Sequence, residues 1–272
     1  MRTFVFIFLL LLGMTIFAQD ANFHIYLCLG QSNMEGNAKV EEQDTVAVDS
    51  RFQVLAAVDC PNLGRSKGNW YKAVPPLARC YTGLTPGDYF GRAMVANLPS
   101  NVRVGIINVA VGGCRIELFD KDNYQSYVET SPDWLKNMVK EYGGNPYARL
   151  AEMAKLAQKD GVIKGILLHQ GESNTNDKDW PSKVKGVYDN LLKDLGLSAA
   201  NVPLLAGEVV HADQNGVCAS MNTIIDSLPQ VIPTAHVISS AGCPAAFDNL
   251  HFTAEGYRML GVRYAAKMLS IL

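Results

Sequence analysis

The run Phe23-His24-Ile25-Tyr26-Leu27-Cys28-Leu29, followed by Gly30-Gln31-Ser32-Asn33-Met34, decides the fold of this chain. The first seven residues are apolar and β-prone, and Gly30 ends the run before a polar stretch. Open α/β sheets place their functional sites at such strand ends. Ser32 is therefore either an activated hydroxyl nucleophile or a capping serine in a βα loop. The choice depends on whether the chain supplies a base elsewhere.

Further apolar runs alternate with segments of helical periodicity along the chain. Four more strands are predicted at 102–109, 162–168, 203–209 and 235–239, and one of the intervening helices at 218–228. Such alternation implies an α/β fold with a mostly parallel sheet covered on both faces. We predict five strands in a single domain over 19–272. The stretch 40–86 is a long excursion with a short strand at 53–58, and its role stays open.

The first eighteen residues have the features of a secretory signal peptide. Met1-Arg2 is a short charged start, residues 4–12 are apolar, and Ala18 offers a small residue at a cleavage position. The apolar run is too short to span a bilayer. We predict cleavage after residue 18 and a secreted or periplasmic protein with no membrane attachment.

Composition excludes several classes of function. Hydrophobic residues make up 48% of the 272 residues, charged residues make up 18%, and the formal net charge is -2. These values describe an ordinary globular protein, and no basic cluster offers a face for nucleic acid. The sequence leaves the oligomeric state open.

The six cysteines are candidates for disulfides if the protein is exported. Their positions favour the pairs Cys60–Cys80 and Cys218–Cys243, because each pair brackets one region of the chain. Cys28 and Cys114 lie in apolar runs that favour buried thiols. No cysteine or histidine spacing indicates a metal site.

A base for Ser32 is offered by Asp248-Asn249-Leu250-His251 near the C-terminus. An aspartate three residues before a histidine can accept the imidazole Nδ1–H, which leaves Nε2 free to take a serine proton. The alternative is an Asx turn beside a surface histidine.

Hydrolysis of an ester also requires donors for the tetrahedral oxyanion. We predict three: the backbone N–H of Ser32, the backbone N–H of Gly113 in the Gly112-Gly113 turn, and the side-chain amide of Gln170. The alternatives are a tight turn at the glycine pair and a loop hydrogen bond at Gln170.

These four segments together resemble the SGNH hydrolase superfamily, and within it the sialate O-acetylesterase-like proteins and the acetylxylan esterases of carbohydrate esterase family 6. The resemblance rests on Gly30-Gln31-Ser32-Asn33-Met34, Gly112-Gly113, Gln170-Gly171-Glu172-Ser173 and Asp248-x-x-His251, in the family's order. It implies a flavodoxin-like three-layer α/β/α sandwich without a cofactor. It also implies Ser32 as nucleophile, His251 as general acid and base, and Asp248 as its orienting residue. Gln170 departs from the superfamily pattern, which has Asn there.

Several neighbours are candidates for supporting or substrate-binding roles. Gln31 and Asn33 flank the serine. Glu172 either orients Gln170, supports His251 or binds sugar hydroxyls, and a structural role behind the site is favoured. Arg115 either contacts an anionic substituent or pairs with Glu117 or Asp120. Loop aromatics can stack on sugar rings; the first choices are Trp70 and Trp134, from a set that also includes Tyr71, Tyr124, Tyr127 and Trp180.

The leading functional hypothesis is an exported serine esterase that removes O-acetyl groups from a polysaccharide, with acetylated xylan as the first choice. O-acetylated sialic acid is the nearer alternative, and the charge around Arg115 would discriminate between the two. A non-catalytic carbohydrate-binding protein is the alternative from another class. A lipase or thioesterase is disfavoured, because the loops lack the aliphatic wall that an acyl chain would need.

Overall fold

The computed structural model describes residues 19–272, so the predicted signal peptide at 1–18 lies outside the described part of the chain. The centre of the fold is a sheet with the order β3-β2-β4-β1-β5-β6-β7. All neighbouring strands are parallel except the edge pair β2 and β3. The strands are β1 (Asp20–Gly30), β2 (Phe52–Leu55), β3 (Trp70–Lys72), β4 (Arg103–Ala110), β5 (Gly161–His169), β6 (Leu204–Gly207) and β7 (Ala235–Ile238).

Helices connect the parallel strands. They are α1 (Ser32–Glu35), α2 (Glu42–Thr45), α3 (Pro86–Asn97), α4 (Tyr124–Thr130), α5 (Asp133–Glu141), α6 (Pro146–Ala157), α7 (Trp180–Leu195), α8 (Asn222–Ile225), α9 (Leu228–Val231) and α10 (Ala254–Leu269). Short 3₁₀ turns lie at Pro61–Leu63, Ile116–Phe119, Glu172–Asn174, Ala212–Gln214 and Ala219–Met221. Within residues 19–272, no helix is long and apolar enough to cross a membrane.

The central strand β1 is buried on both faces, which explains its continuous apolar sequence. Ile25 and Leu27 belong to one hydrophobic cluster, which includes residues of α6 and α7. Tyr26 and Cys28 belong to the opposite cluster, which includes residues of α3 and α10. The predicted α/β/α arrangement is therefore confirmed.

The predicted count of five strands is wrong, because the sheet has seven. Both additional strands, β2 and β3, lie in the excursion at 40–86. The short strand suggested at 53–58 is present as Phe52–Leu55. Trp70–Lys72 is only three residues long and pairs as an antiparallel edge, so it leaves no periodic signal in the sequence.

The helix predicted at 218–228 is interrupted. A 3₁₀ turn at Ala219–Met221 leads into α8, and α9 starts separately with Pro229 in its first turn. Proline lacks the N–H that a continuing helix would use, so the second helix begins there. The Asn222 side chain bonds both the N–H and the carbonyl of Val209, which fixes this segment against the end of β6.

One of the two suggested disulfides is confirmed. Cys60 and Cys80 are bonded, whereas Cys218 and Cys243 are free thiols and their predicted pairing is wrong. Cys243 is buried, and the Sγ of Cys218 instead lies 3.7 Å from the carbonyl oxygen of Glu172. The two C-terminal cysteines therefore lie in different surroundings.

The strand register brings three loops to one edge of the sheet. Gly30 at the end of β1 pairs with Ala110 at the end of β4 and with His169 at the end of β5. The loops at 31–34, 111–115 and 170–174 therefore leave the sheet side by side. This edge carries the candidate site.

Candidate functional site

Ser32 is the first residue of α1, directly after β1. The N–H of Gln31 bonds the carbonyl of His169, and α1 then closes with the N–H of Gly36 on the carbonyl of Ser32. Ser32 is 8% exposed. This short helix holds the hydroxyl at the edge of the sheet, next to the loop after β5.

Ser32, His251 and Asp248 form one hydrogen-bonded chain. The Nε2 of His251 lies 2.9 Å from the Oγ of Ser32, and its Nδ1 lies 2.7 Å from the Oδ2 of Asp248. Oδ1 of Asp248 accepts the N–H groups of Leu250 and His251, each at 3.0 Å. In such an arrangement the carboxylate orients the imidazole, and the imidazole can take the hydroxyl proton.

The carboxyl of Asp248 is held in its charged form. Burial opposes its ionisation, but the N–H and the imidazole of His251 and the N–H of Leu250 outweigh burial and lower the pKa of Asp248. An ionised Asp248 can accept a hydrogen bond from the imidazole and stabilise it when it becomes positively charged.

Two backbone N–H groups beside Ser32 are free to act as donors. Among residues 19–272, none accepts a hydrogen bond from the N–H of Ser32 or of Gly113. A Cβ placed on Gly112 would lie 3.7 Å from the Cβ of Ser32, so this turn is a direct neighbour of the serine. Gly113 has a φ of +71°, a left-handed conformation that favours glycine. The turn can therefore present an amide toward a group bound at Ser32.

The prediction that the Gln170 amide donates to an oxyanion is wrong. Its Nε2 already lies 2.7 Å from the Oδ1 of Asn174 and 3.1 Å from the Oε1 of Gln31. Its Oε1 accepts the indole N–H of Trp180, which fixes the orientation of the buried amide. Both amide hydrogens are occupied, so Gln170 serves to hold the loop after β5.

Gln31 connects this loop to the serine segment. Its Oε1 accepts hydrogen bonds from the Gln170 amide and, at 3.2 Å, from the backbone N–H of Ser173. Gln31 is only 2% exposed, so its side chain lies behind the site. Its role is to fix the position of α1 relative to β5.

Asn33 connects the serine helix to the loop that carries His251. Its Nδ2 donates to the Oε1 of Glu172 at 2.5 Å and to the carbonyl of Leu250 at 3.1 Å. Its Oδ1 accepts the hydroxyl of Tyr257 at 2.6 Å. The carbonyl of Leu250 directly precedes His251, so Asn33 positions the histidine relative to Ser32.

Glu172 lies beneath this connection as a buried carboxylate, in the supporting position predicted for it. Its Oε1 is 3.6 Å from the Nε2 of His169, which is itself fully buried. Burial opposes ionisation of Glu172, but the imidazole of His169 and the amide of Asn33 outweigh burial and lower the pKa of this carboxyl.

Replacing Glu172 by alanine is expected to lower the free energy of unfolding by about 3 kcal/mol, because the Asn33 amide would lose a buried charged acceptor. Urea unfolding at neutral pH measures this. The exposed Glu129→Ala is the control, with an expected change within about 0.5 kcal/mol. Since the folded-state pKa is lowered, the stabilisation is present above the unfolded pKa of about 4.3 and disappears as the pH falls through the folded value. An equal loss for both variants at neutral pH would contradict this role.

Arg115 is an exposed residue that pairs with two carboxylates of this chain. Its guanidinium lies 3.4 Å from Glu117 and 3.5 Å from Asp177, and Lys183 contacts the same two carboxylates. The predicted pair with Glu117 is confirmed. The second partner of Arg115 is Asp177, not the suggested Asp120. Asp177 follows β5, and its approach to the loop after β4 is a tertiary contact that local spacing does not reveal.

The two tryptophans chosen as sugar platforms lie at opposite ends of the sheet. Trp70 packs on Phe23 at the start of β1 and donates to Asp160, so its assignment to the site is wrong. Trp134, on α5, covers the glycine turn: a Cβ on Gly113 would lie 2.6 Å from its ring. Trp134 is 53% exposed, which leaves much of its surface available beside Ser32.

An ion pair beside the serine was missed. Glu35, the last residue of α1, accepts the Arg79 guanidinium at 2.5 Å, and Arg79 also pairs with Glu141. A Cβ on Gly112 would lie 2.8 Å from the Oε2 of Glu35. Two features of the sequence point weakly to this ion pair. The polar stretch after β1 continues to Glu35, and Arg79 directly precedes a disulfide cysteine.

Comparison with known proteins identifies the family. A model for "carbohydrate esterase, sialic acid-specific acetylesterase" matches residues 22–270. A probable carbohydrate esterase of Arabidopsis thaliana is 25% identical over 262 residues, covering 90% of each chain.

Solved structures share the fold. The X-ray structure of the Arabidopsis protein superposes with a TM-score of 0.70 at 21% identity, covering 92% of this chain and 99% of that one. NanS has a TM-score of 0.65 at 14% identity, covering 93% and 98%. A carbohydrate acetylesterase from Xanthomonas citri has a TM-score of 0.60 at 18% identity, covering 89% and 54%. Given a family match over nearly all described residues, this chain belongs to the sialic acid-specific acetylesterase family of carbohydrate esterases.

Proposed function

We propose that the chain is an exported serine esterase that removes O-acetyl groups from a carbohydrate through an acetyl-enzyme on Ser32. The observation that carries this proposal is the hydrogen-bonded chain from Asp248 through His251 to the Ser32 hydroxyl. Family membership supports the esterase chemistry. Export rests on the sequence of residues 1–18.

The proposed reaction has two steps. Ser32 Oγ attacks the acetyl carbonyl carbon while the Nε2 of His251 takes the hydroxyl proton. The N–H groups of Ser32 and Gly113 stabilise the tetrahedral oxyanion, which then collapses as the sugar oxygen leaves with the proton from His251. A water molecule, deprotonated by His251, attacks the acetyl-enzyme, and acetate leaves as the proton returns to Ser32.

For the substrate we propose a neutral acetylated polysaccharide, with acetylated xylan as the representative. Two arginines lie close to the Gly112–Gly113 turn, and both are paired with carboxylates: Arg115 with Glu117 and Asp177, and Arg79 with Glu35 and Glu141. Neither is left as a free cation for the carboxylate of a sialic acid. O-acetylated sialic acid is the second candidate, because the family model is described by that specificity.

Acetate release from acetylated xylan, O-acetylated sialic acid and p-nitrophenyl acetate tests the proposal. We expect turnover of the small ester and at least about a tenfold higher kcat/KM on acetylated xylan than on the sialic acid, a difference of about 1.4 kcal/mol. Xylan deacetylated with base is the matched blank. The reverse preference would assign the sialate substrate, and the absence of acetate release from all three esters would favour a non-catalytic carbohydrate-binding protein.

A further inference from the structure

A polar groove of about 690 Å³ opens beside α1. Its walls come from the segment that follows α1 and from the segment that follows the Cys60–Cys80 disulfide bond. The side chains that define its chemistry are Glu35, Asn37, Lys39, Arg79, Tyr81 and Glu141. Two cations and two carboxylates balance among them, so the groove is polar without a net charge.

This groove lies next to the site at Ser32. Glu35 lines it and is also the last residue of the helix that Ser32 begins. The Cβ position of Gly112 lies 2.8 Å from the Oε2 of Glu35 and 3.7 Å from the Cβ of Ser32. A chain of sugar units with one acetyl group at Ser32 could therefore extend directly into the groove.

The backbone on both sides of Tyr81 is anchored, and its side chain is almost fully exposed. Cys80 is tied to Cys60, and the N–H of Gly83 bonds the carbonyl of Gly36 at 2.7 Å. Between these anchors Tyr81 is 89% exposed. An exposed aromatic ring on an anchored backbone segment offers contact area at a low cost in conformational entropy.

We propose that this groove binds the neutral sugar unit next to the acetylated one, with Tyr81 stacking on the ring and Asn37 and Lys39 bonding hydroxyl groups. The proposal rests on the proposed function, and it makes Tyr81 a determinant of polysaccharide specificity. Arg79 is already paired with Glu35 and Glu141, so its charge is neutralised within the protein. This favours an uncharged sugar over a sugar carboxylate in this groove.

Tyr81→Ala separates binding of a sugar chain from ester chemistry. With xylohexaose as the probe in calorimetry, we expect Tyr81→Ala to raise Kd about tenfold, as truncation of an aromatic contact residue commonly does. Turnover of p-nitrophenyl acetate should stay within about twofold of wild type, because Tyr81 does not contact Ser32, His251 or Asp248. The matched control is Ile271→Ala, which truncates an exposed apolar side chain in a groove of about 620 Å³ lined also by Val162 at the opposite end of the sheet. It should change neither value.

Each outcome decides the proposal. An unchanged Kd for Tyr81→Ala, or no binding of xylohexaose to the wild-type protein, would overturn the groove assignment. Failure of the proposed function is a separate result, since it would appear as absent acetate release by the wild-type protein. Equal weakening by Tyr81→Ala and Ile271→Ala would also reject a specific role for Tyr81.

Discussion

Replacing Ser32 by alanine is expected to lower kcat on p-nitrophenyl acetate by about 10⁴-fold or more. The variant removes the oxygen that would attack the carbonyl, while leaving His251 and the N–H groups of Ser32 and Gly113 in place. These remaining groups can still bind and polarise an ester, so a small residual rate is expected. Initial rates from the variant and the wild-type protein, compared at saturating substrate, measure the effect.

Two further measurements give this result a mechanistic meaning. A fluorophosphonate should add to the peptide that contains Ser32 in the wild-type protein and not in Ser32→Ala, as read by mass spectrometry. Ser270→Ala, an exposed serine at the C-terminal end of α10 that bonds Lys267, is the control and should keep full activity. Full activity in folded Ser32→Ala would reject the acetyl-enzyme.

The sequence predicts the approach of Ser32 to the Asp248–His251 pair because each part is encoded locally. Ser32 follows a strand whose apolar run places it in the sheet centre, and the carboxyl ends of parallel strands meet at one edge. Asp248 and His251 are three residues apart, so one turn brings the carboxylate to the ring. Only the contact between these two local units depends on the whole fold.

The assignment of Gln170 as an oxyanion donor was wrong because its hydrogen bonds depend on tertiary contacts that the local sequence does not reveal. Gln170 lies at the strand end as predicted, but its amide is already hydrogen-bonded to Gln31, Asn174 and Trp180. Trp180 belongs to α7, and its indole faces Gln170 because α7 packs back on the sheet. Residue type and strand position place a side chain at an edge, whereas tertiary contacts decide whether its hydrogen bonds remain free.

The excursion at 40–86 shows the same limit for the fold. Its two strands extend the sheet, yet β3 has only three residues. Its pairing with β2 depends on packing in the folded protein, which the periodicity of the sequence does not reveal. The ion pair between Arg79 and Glu35 joins residues 44 positions apart, so no short motif records it. This region nevertheless supplies the groove beside Ser32.

Replacing Asp248 by asparagine is expected to lower kcat on p-nitrophenyl acetate by about 10³- to 10⁴-fold with little change in KM. The asparagine Oδ1 can still accept the N–H groups of Leu250 and His251, so the loop should keep its shape. The other end would then present an NH₂ group, at 2.7 Å, to the Nδ1 of His251. That donor favours the tautomer with its proton on Nε2, which cannot accept the proton of Ser32.

This variant separates orientation of the histidine from stability of its loop. Asp122→Asn, an exposed aspartate in the loop before α4, is the matched control and should keep wild-type kcat. Circular dichroism should show the wild-type fold for Asp248→Asn, since its backbone acceptor is retained, and urea unfolding should show only the small loss of stability expected when a carboxylate with a lowered pKa becomes neutral. If kcat of the folded variant falls by less than tenfold, Asp248 does not set the tautomer of His251. The base function of His251 would then require only its contact with Ser32. A large fall in kcat in the folded variant would instead assign the effect to the Nδ1 hydrogen bond, because that is the one contact whose donor and acceptor roles the substitution reverses.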